Sequence, residues 1–316
     1  MKTRRDFLKT GVVATAGLSL VGLNELFAAE ASNAVTSAAS AAPVVASKSV
    51  LAAVRDGSRT AMLDKAMSAL GGMEAFVKKG QTVVVKPNIG WDAPPERAAN
   101  THPELVGRVV ELCFAAGAKS VSIFDNTCDQ WQRTYANSGI EEVAKKTGAV
   151  MVNGKDKTMY REAAIPGGVK LKQALVHPLV LDSDVFINLP VLKHHSGALM
   201  TACMKNLMGV VWDRMVWHRT DLHQCIADFV TLRKPTLNII DAYHPMVRNG
   251  PRGKSVDDVV EMKALMASTD IVAIDAAAAK LLDHQPADVT HVKLAADLGL
   301  GTMDLDKVDI RRFKLA

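Results

Sequence analysis

Apolar runs of two lengths alternate along the chain after the first 42 residues. Short runs rich in Val and Ile, at residues 50–54, 82–85 and 184–189, predict buried strands. Longer stretches with apolar residues at helical spacing, such as residues 102–116, lie between them. This alternation predicts an α/β fold with a mostly parallel sheet wrapped by helices, in one lobe or two. We expect a single α/β domain over residues 43–316.

The N-terminal residues 1–42 differ from the rest in composition. Arg4 and Arg5 are followed by an apolar run at residues 11–23, which contains glycine and is too short to span a bilayer comfortably. An Ala/Ser-rich stretch then covers residues 28–42. This order is typical of a twin-arginine signal peptide and a linker, with cleavage inside the Ala/Ser-rich stretch. The sequence therefore predicts recognition by the twin-arginine translocation machinery, a periplasmic or otherwise exported protein, and no stable membrane span after cleavage.

Charge and cysteine content limit the expected partners. Lys and Arg number 38 against 33 Asp and Glu, and the excess is spread along the chain, so nucleic acid is not an expected partner. The four cysteines contain no CxxC pair, so their spacing does not support a self-contained iron–sulfur or zinc cluster. They are Cys113, Cys128, Cys203 and Cys225. The identity of any metal or cofactor stays open, and the export route is the main reason to consider one.

Polar side chains follow the predicted strands where each one ends. They are Lys86 and Asn88, Asp125 and Asn126, Lys193 with His194, His195 and Ser196, and Asp241 with Tyr243 and His244. In open α/β sheets the loops at the carboxyl ends of strands converge on the ligand. We therefore expect these groups to share one cleft that holds an acidic ligand or a metal. Asp125 and Asp241 also fit the ordinary role of turn or cap residues.

Residues 199–211 are apolar nearly all round and predict a buried helix with Lys205 in its middle. A buried ammonium is costly unless it meets an anion, and burial lowers its pKa. Thr201 and Lys205 are four residues apart, so on a helix they would share a face. We expect the Lys205 charge to meet a ligand or a carboxylate, for which Asp125 and Asp241 are the candidates. The alternative is a lysine that extends to solvent along one wet side of the helix.

Five short motifs lie at or near these strand ends. They are VVVKPN at residues 83–88, THPELV at 101–106, AGAK at 116–119 with the later Asp125, NLP at 188–190 with KHH at 193–195, and KNLMG at 205–209. Together they resemble the bacterial and archaeal family known as domain of unknown function 362. Many members of that family carry a ferredoxin-like cysteine segment and are labelled iron–sulfur proteins, but this chain has no such segment. The resemblance implies an α/β domain whose activity is unsettled.

A more distant likeness is to nickel-pincer lactate racemases. The shared feature is the order of strand, Pro-bearing loop and helix, followed by a His-containing loop and a helix that bears a lysine. The likeness implies an acid/base role for His195 and a cofactor or substrate anchor at Lys205. The arginine-bearing first loop of that family has no match here, and neither His218 nor His223 is a clear counterpart of its metal-ligand histidine.

The function predicted from these residues is that of an enzyme acting on a small anionic carboxylate or phosphate ligand. His194 or His195 would be the general acid/base, and lysines would bind the ligand. The predicted site contains His194, His195, Lys205 and Lys86 as catalytic residues and Asn88, Asp125, Asn206 and Asp241 as binding residues. Two alternatives are a periplasmic redox or metal-cofactor protein of iron–sulfur type and a non-catalytic binding protein for a small anion.

Overall fold

A ten-stranded mixed sheet runs through the chain. The computed structural model describes residues 21–28 and 48–316. Its strands are β1 (Val50–Arg55), β2 (Thr82–Pro87), β3 (Ser120–Ile123), β4 (Val150–Met151), β5 (Arg161–Ala164), β6 (Gln173–Val176), β7 (Val185–Leu189), β8 (Val191–His195), β9 (Leu199–Thr201), β10 (Leu237–Met246), β11 (Ala264–Ser268) and β12 (Asp309–Lys314). The sheet order is β12-β1-β11-β10-β7-β2-β3-β4, with β8 beside β10 and β9 beside β8, while β5 and β6 pair separately.

Parallel pairing dominates the half of the sheet that runs from β10 to β4. Strands β10, β7, β2, β3 and β4 pair in parallel in that order, and β8 is parallel to β10. The antiparallel pairs are β1 with β11, β10 with β11, and β8 with β9. The predicted α/β fold with a mostly parallel sheet is confirmed, and the carboxyl ends of β2, β3 and β7 lie at one edge.

Helices cover both faces of the sheet. Residues 21–27 are helical (α1), and the later helices are α2 (Arg59–Ala69), α3 (Pro103–Ala115), α4 (Trp131–Asn137), α5 (Ile140–Thr147), α6 (Pro178–Asp182), α7 (Cys203–Asn206), α8 (Met215–Thr220), α9 (Leu222–Val230), α10 (Ile271–Leu281) and α11 (Thr290–Asp297). Short 3₁₀ turns include Pro95–Arg97 and Leu207–Val210. No helix among the described residues is long and apolar enough to cross a membrane.

The strand alternation explains why the core has two layers. In β2, Val83 and Val85 pack with α2, α3 and α5 on one face of the sheet, whereas Val84 packs with α7, α9, α10 and α11 on the other. In β7 the same rule places Val185 on the first face and Phe186 on the second. Strands buried on both faces read as continuous apolar runs, which is why the sequence marks them clearly.

The predictions for residues 190–211 were wrong in detail. The predicted loop after β7 is the strand β8, and the predicted helix over residues 199–211 is strand β9, the four-residue helix α7 and the 3₁₀ turn Leu207–Val210. Lys193 pairs with Thr201 across the β8–β9 hairpin, so Thr201 and Lys205 do not share a helix face. An apolar pattern all round marks burial but does not distinguish a short strand from a helix.

Two further differences concern element ends. Asp241 was expected to follow the end of a strand, but β10 extends to Met246, which places Asp241 inside the strand. Thr101 and Glu104 have the spacing of a capping box, but the N-cap of α3 is His102, and it makes no side-chain cap bond. The Thr101 hydroxyl instead donates to the Leu189 carbonyl and accepts the Asn88 amide. Tertiary contacts outweigh the local capping signal at this position.

Helix α1 lies within the predicted export signal and packs on the folded chain. Leu23, Leu26 and Phe27 are buried. The Gly22 amide donates to Asp283 Oδ1 at 3.1 Å, and the Arg312 guanidinium donates to the Leu26 carbonyl at 2.6 Å. The twin arginines, the cleavage stretch and the start of the domain near residue 44 lie outside the described residues.

Because α1 contributes three buried apolar side chains, a chain lacking residues 1–28 should be less stable than one lacking residues 1–20. We expect a loss of up to about 5–9 kcal/mol in the free energy of unfolding, the value for burying three such side chains at roughly 1.5–3 kcal/mol each. Urea denaturation of both truncated chains measures it. Phe27→Ser in the longer chain should reproduce part of the loss, and equal midpoints for the two truncations would contradict the contribution of α1.

Candidate anion site at the strand ends

A cavity of about 320 Å³ opens at the carboxyl ends of β2 and β3. Its polar lining consists of Lys86, Asn88, Asp125, Cys128, Lys193, His195, Thr201, Lys205, Asn206, Arg214 and His218. These residues come from β2, the loop after β3, β8, β9, α7 and the start of α8. The rule that ligand sites in open α/β sheets lie at strand carboxyl ends therefore locates the cavity correctly. Among the predicted site residues, His194 and Asp241 do not line it.

A buried ion pair forms the floor of the cavity. Lys86 Nζ lies 3.0 Å from Asp125 Oδ1, and both side chains are buried. The same ammonium donates to the Pro87 carbonyl at 2.8 Å and to Asn206 Oδ1 at 2.9 Å. Burial lowers the pKa of Lys86, and the Asp125 carboxylate opposes that change. Lys86 therefore has two hydrogen bonds and one ion pair within the protein, which makes it a residue that organises the site.

Gly209 provides the space that this ion pair occupies. A Cβ atom at position 209 would overlap Asp125 Oδ1 and would lie 2.6 Å from Lys86 Nζ. The Gly209 carbonyl accepts the Asn126 amide at 2.9 Å, which ties the 3₁₀ turn to the loop after β3. Glycine is therefore required here for close approach.

Four asparagines, of which Asn188, Asn206 and Asn238 are buried, extend the polar network from the cavity into the sheet. Asn88 Nδ2 donates to Asn206 Oδ1 at 3.0 Å, and Asn206 Nδ2 donates to Asn188 Oδ1 at 2.9 Å. Asn188 Nδ2 in turn donates to Asn238 Oδ1 at 3.0 Å and to the Cys203 carbonyl at 2.9 Å. Buried amides are stable only when their donors and acceptors are paired, and this chain of bonds fixes α7 against β2, β7 and β10. The predicted binding residues Asn88 and Asn206 both belong to it.

A buried carboxylate on α10 orients the start of α7. Asp275 accepts the Cys203 amide at 2.7 Å and the Met204 amide at 3.0 Å. Burial raises the pKa of Asp275 to about 7, although both backbone bonds lower it. This cap sets the direction in which the next residue, Lys205, leaves the helix.

Of the three lysines that line the cavity, Lys193 and Lys205 have ammonium protons that no protein acceptor binds. Lys193 Nζ donates to Asn88 Oδ1 at 2.9 Å and to the Ala99 carbonyl at 2.5 Å, which leaves one proton. Burial lowers the pKa of Lys193 to about 7, and the neighbouring Lys205 and Lys86 lower it further. Burial also lowers the pKa of Lys205 to about 8, with Arg214 and Lys86 contributing. Among the described residues Lys205 has no hydrogen-bond or ion-pair partner, and it lines the cavity instead of extending along the outer surface.

His195 is held as a neutral hydrogen-bond donor. Its Nδ1 accepts the Gly197 amide at 3.0 Å and the Ala198 amide at 3.1 Å, so the neutral ring carries its proton on Nε2. Burial lowers the pKa of His195 to about 2, and Lys205 and Lys193 act in the same direction. This geometry favours donation to a ligand over the predicted general acid/base role. His194 Nδ1 accepts the Gly250 amide at 3.1 Å and holds the loop beside the cavity.

Five polar residues of the cavity were not among the predicted site residues, namely Cys128, Lys193, Thr201, Arg214 and His218. Arg214 donates to the carbonyls of Asn126 and Thr127 and to the Cys128 sulfur, the last at 3.0 Å. His218 lies at the exposed rim and has a lowered pKa because of burial, Lys205 and Arg214. The spacing of four residues between Arg214 and His218 is the signal that could have placed both on one side of α8.

The predicted convergence of Asp241 with the other site residues is wrong. Asp241 Oδ1 lies 3.4 Å from Arg59 Nε, and Asp241 Oδ2 accepts the His102 amide at 3.2 Å. Arg59, His102 and His244 line a separate cavity of about 360 Å³. The carboxylate points there because β10 continues past residue 241 and its side chains alternate between the two faces. Asp125 is already paired with Lys86, so neither predicted carboxylate balances Lys205.

The side chains of the described residues that could ligate a metal are not arranged as a metal site. Residues 21–28 and 48–316 contain no group of three His, Cys, Asp or Glu side chains placed to hold an ion. Within these ranges Cys113, Cys203 and Cys225 are buried free thiols, and Cys128 is an exposed one. A cluster ligated by several thiolates needs cysteines that converge. No step of chemistry is therefore assigned to a metal.

The model of the family described as Domain of unknown function (DUF362) matches residues 83–280. The chain belongs to this family. The predicted family is thus confirmed, and the motifs that carried the resemblance supply most of the cavity lining. In this DUF362 protein the KPN, KHH and KNLMG motifs place Lys86, Lys193 and Lys205 around one space.

Two individual proteins are similar to this DUF362 protein. The thylakoid-associated protein sll1697 of Synechocystis sp. (strain ATCC 27184 / PCC 6803 / Kazusa) is 29% identical over 252 residues, which cover 77% of this chain and 76% of that protein. The lactate racemase apoprotein from Thermoanaerobacterium thermosaccharolyticum superposes with a TM-score of 0.46 at 13% identity, over 72% of this chain and 56% of that chain. The chain thus spans just over half the length of the racemase it matches.

Gly209→Ala should damage the ion pair that supports the site. The added methyl group would displace Asp125 from Lys86, and we expect a loss of about 2–4 kcal/mol in the free energy of unfolding. Urea denaturation measures this loss. Gly90→Ala is the matched control, because Gly90 lines the same cavity and its added Cβ would meet only Asn88 Oδ1 at 3.8 Å. Similar losses for the two variants would show that Gly209 has no special steric role.

Proposed function

We propose that this DUF362 protein is an enzyme that binds a small anionic ligand, a carboxylate or a phosphate, in the cavity at the strand ends. The observation that carries the proposal is the Lys205 ammonium, which lines the cavity and has no hydrogen-bond or ion-pair partner among the described residues. The cavity's carboxylate, Asp125, is paired with Lys86. Lys205 is half-buried, and a cation that has lost part of its hydration without gaining a counter-charge is unfavourable unless a ligand supplies one.

Further hydrogen-bond donors around Lys205 favour binding of an anion. The His195 Nε2–H group, the remaining Lys193 proton and the Thr201 hydroxyl border the same space. Trp91, Met208, Met215 and Pro251 form its apolar walls. Donors in a space with apolar walls bind negative charge more strongly than donors in water, because little water competes for them.

Lys205 is the residue we assign to proton transfer. A group with a pKa of about 8 exchanges protons readily near neutral pH, whereas the pKa of His195, about 2, keeps that ring neutral. His195 then orients the ligand by donating from Nε2, and Lys193 adds charge. This assignment retains the predicted His/Lys site but exchanges the roles of the two residues.

We also propose that the protein is exported through the twin-arginine pathway. The support is Arg4-Arg5 before the apolar run at residues 11–23. Replacing both Arg4 and Arg5 by Lys keeps the charge but should keep the protein in the cytoplasm of its native host. Fractionation followed by immunoblotting measures this distribution, with Lys2→Arg as the matched control. Export of the double variant at the normal level would contradict the proposed route.

Lys205→Met should abolish anion binding while leaving the protein folded. The substitution keeps the length and apolar packing of the side chain but removes the ammonium that we assign to the ligand. Binding of acetate and sulfate, measured by isothermal titration calorimetry, should weaken by at least about tenfold. The melting temperature should stay equal or rise, because the repulsion with Arg214 and Lys86 is gone.

The control for this variant is Lys119→Met, which removes an exposed lysine between α3 and β3. Lys119→Met should bind anions as the unmodified chain does. Unchanged binding by Lys205→Met would contradict the anion site. Proton NMR of the protein with a set of small carboxylates and phosphate esters then separates an enzyme from a binding protein, because a non-catalytic binding protein would convert none of them.

A further inference from the structure

Three cationic side chains line the cavity without a carboxylate partner. Lys193 donates to an amide oxygen and a carbonyl oxygen, and Arg214 donates to two carbonyl oxygens and a thiol. Lys205 has no partner among the described residues. Lys86 and Asp125 cancel as a pair. The cavity therefore has a surplus of up to three positive charges when these groups are protonated, and no protein carboxylate compensates them within residues 21–28 and 48–316.

A ligand with one negative charge would leave most of this surplus unbalanced. Lys205 and Lys86 lower the pKa of Lys193, and Arg214 and Lys86 lower the pKa of Lys205, so the cationic groups around this space repel one another. Placing a second negative charge between them converts that repulsion into attraction. The neutral donors His195 and Thr201 cannot perform this role, because they contribute hydrogen bonds without net charge.

The size of the cavity restricts the rest of the ligand. The cavity, about 320 Å³ and bounded by Trp91, Met208, Met215 and Pro251, is at the small end of the range for ligand pockets. Because Lys193 and Lys205 both line this one small space, negative charges that meet both of them must lie close together on the ligand.

We infer that the ligand is a small dianion, either a short dicarboxylate or a doubly charged tetrahedral group such as a phosphate monoester, and that its binding brings a proton onto Lys193. This inference rests on the proposed function and narrows it. Without ligand, Lys193 is largely neutral at pH 8, since its pKa is about 7. A dianion beside it favours the charged form and raises that pKa, so the bound state holds more protons than the free state. Affinity should then fall as the pH rises above about 7.

Other groups near Lys193 also contribute to the pH response. They are Lys86 on β2, Asp125 and Cys128 after β3, His195 on β8, Lys205 on α7, and Arg214 and His218 at α8. His195 stays neutral across this range because its pKa is about 2, and Asp125 is held by Lys86. Lys205, with a pKa of about 8, is the group that can take up a further proton above pH 8.

The test is calorimetric titration of the whole protein with acetate, malonate and sulfate at fixed ionic strength. None of these ions changes its own charge between pH 7 and pH 8.5, so proton uptake belongs to the protein. Malonate and sulfate should bind at least about tenfold more tightly than acetate. At pH 8, titrations in two buffers with different ionisation enthalpies should show uptake of about one proton. Tighter malonate binding identifies the dicarboxylate class, and tighter sulfate binding identifies the tetrahedral class.

Variants separate this inference from the proposed function. Lys193→Met should bring the affinities for malonate and sulfate close to that for acetate and should reduce the proton uptake at pH 8 to the part that Lys205 contributes, about half a proton, while Lys119→Met should change neither. Equal affinity of the unmodified protein for acetate and for both dianions, or binding without proton uptake, would overturn the dianion inference alone. If none of the three anions binds, the proposed function fails and the inference fails with it. If Lys193→Met does not fold, the affinities and proton uptake of the unmodified protein still test the dianion inference.

Discussion

The buried ion pair of Lys86 and Asp125 is the interaction on which the site depends. It joins the end of β2 to the loop after β3. It also requires the space left by Gly209, which lies in the 3₁₀ turn Leu207–Val210. Burying two charges is expensive, so the arrangement persists only because Pro87, Ile89 and Asn206 supply further hydrogen bonds. Because Asp125 is paired with Lys86, it does not neutralise the other cavity lysines. Lys193 and Lys205 therefore give the cavity lining a positive charge when they are protonated.

The different roles of Lys86, Lys193 and Lys205 follow from their hydrogen bonds. Lys86 has three acceptors, Lys193 has two and Lys205 has none among the described residues. The three side chains are chemically identical, so only their surroundings make one a scaffold and another a ligand-binding group. The asparagine network determines these surroundings, because Asn206 Oδ1 accepts from Lys86 and Asn88 Oδ1 accepts from Lys193.

Sequence reasoning predicted most of the residues that meet in the cavity, but it described the construction of the cavity less accurately. The strand-end rule found Lys86, Asp125 and His195 because parallel strands bring their carboxyl ends to one edge. It failed for Asp241, because nothing in the apolar pattern reveals that β10 continues for five more residues, to Met246. It also misread residues 199–211, where burial on every side hides the difference between a hairpin and a helix. The tautomer of His195 depends on backbone amides that no sequence pattern predicts.

The asparagine network has a further consequence for how the protein moves. Asn188 and Asn238 lie on the adjacent strands β7 and β10, Asn88 directly follows β2, and Asn206 connects them to α7. A local opening of the cavity floor would have to break several amide hydrogen bonds together, and three of the four asparagines are buried. The floor and the central sheet should therefore form one cooperative unit, whose backbone amides exchange with solvent only when the domain as a whole unfolds.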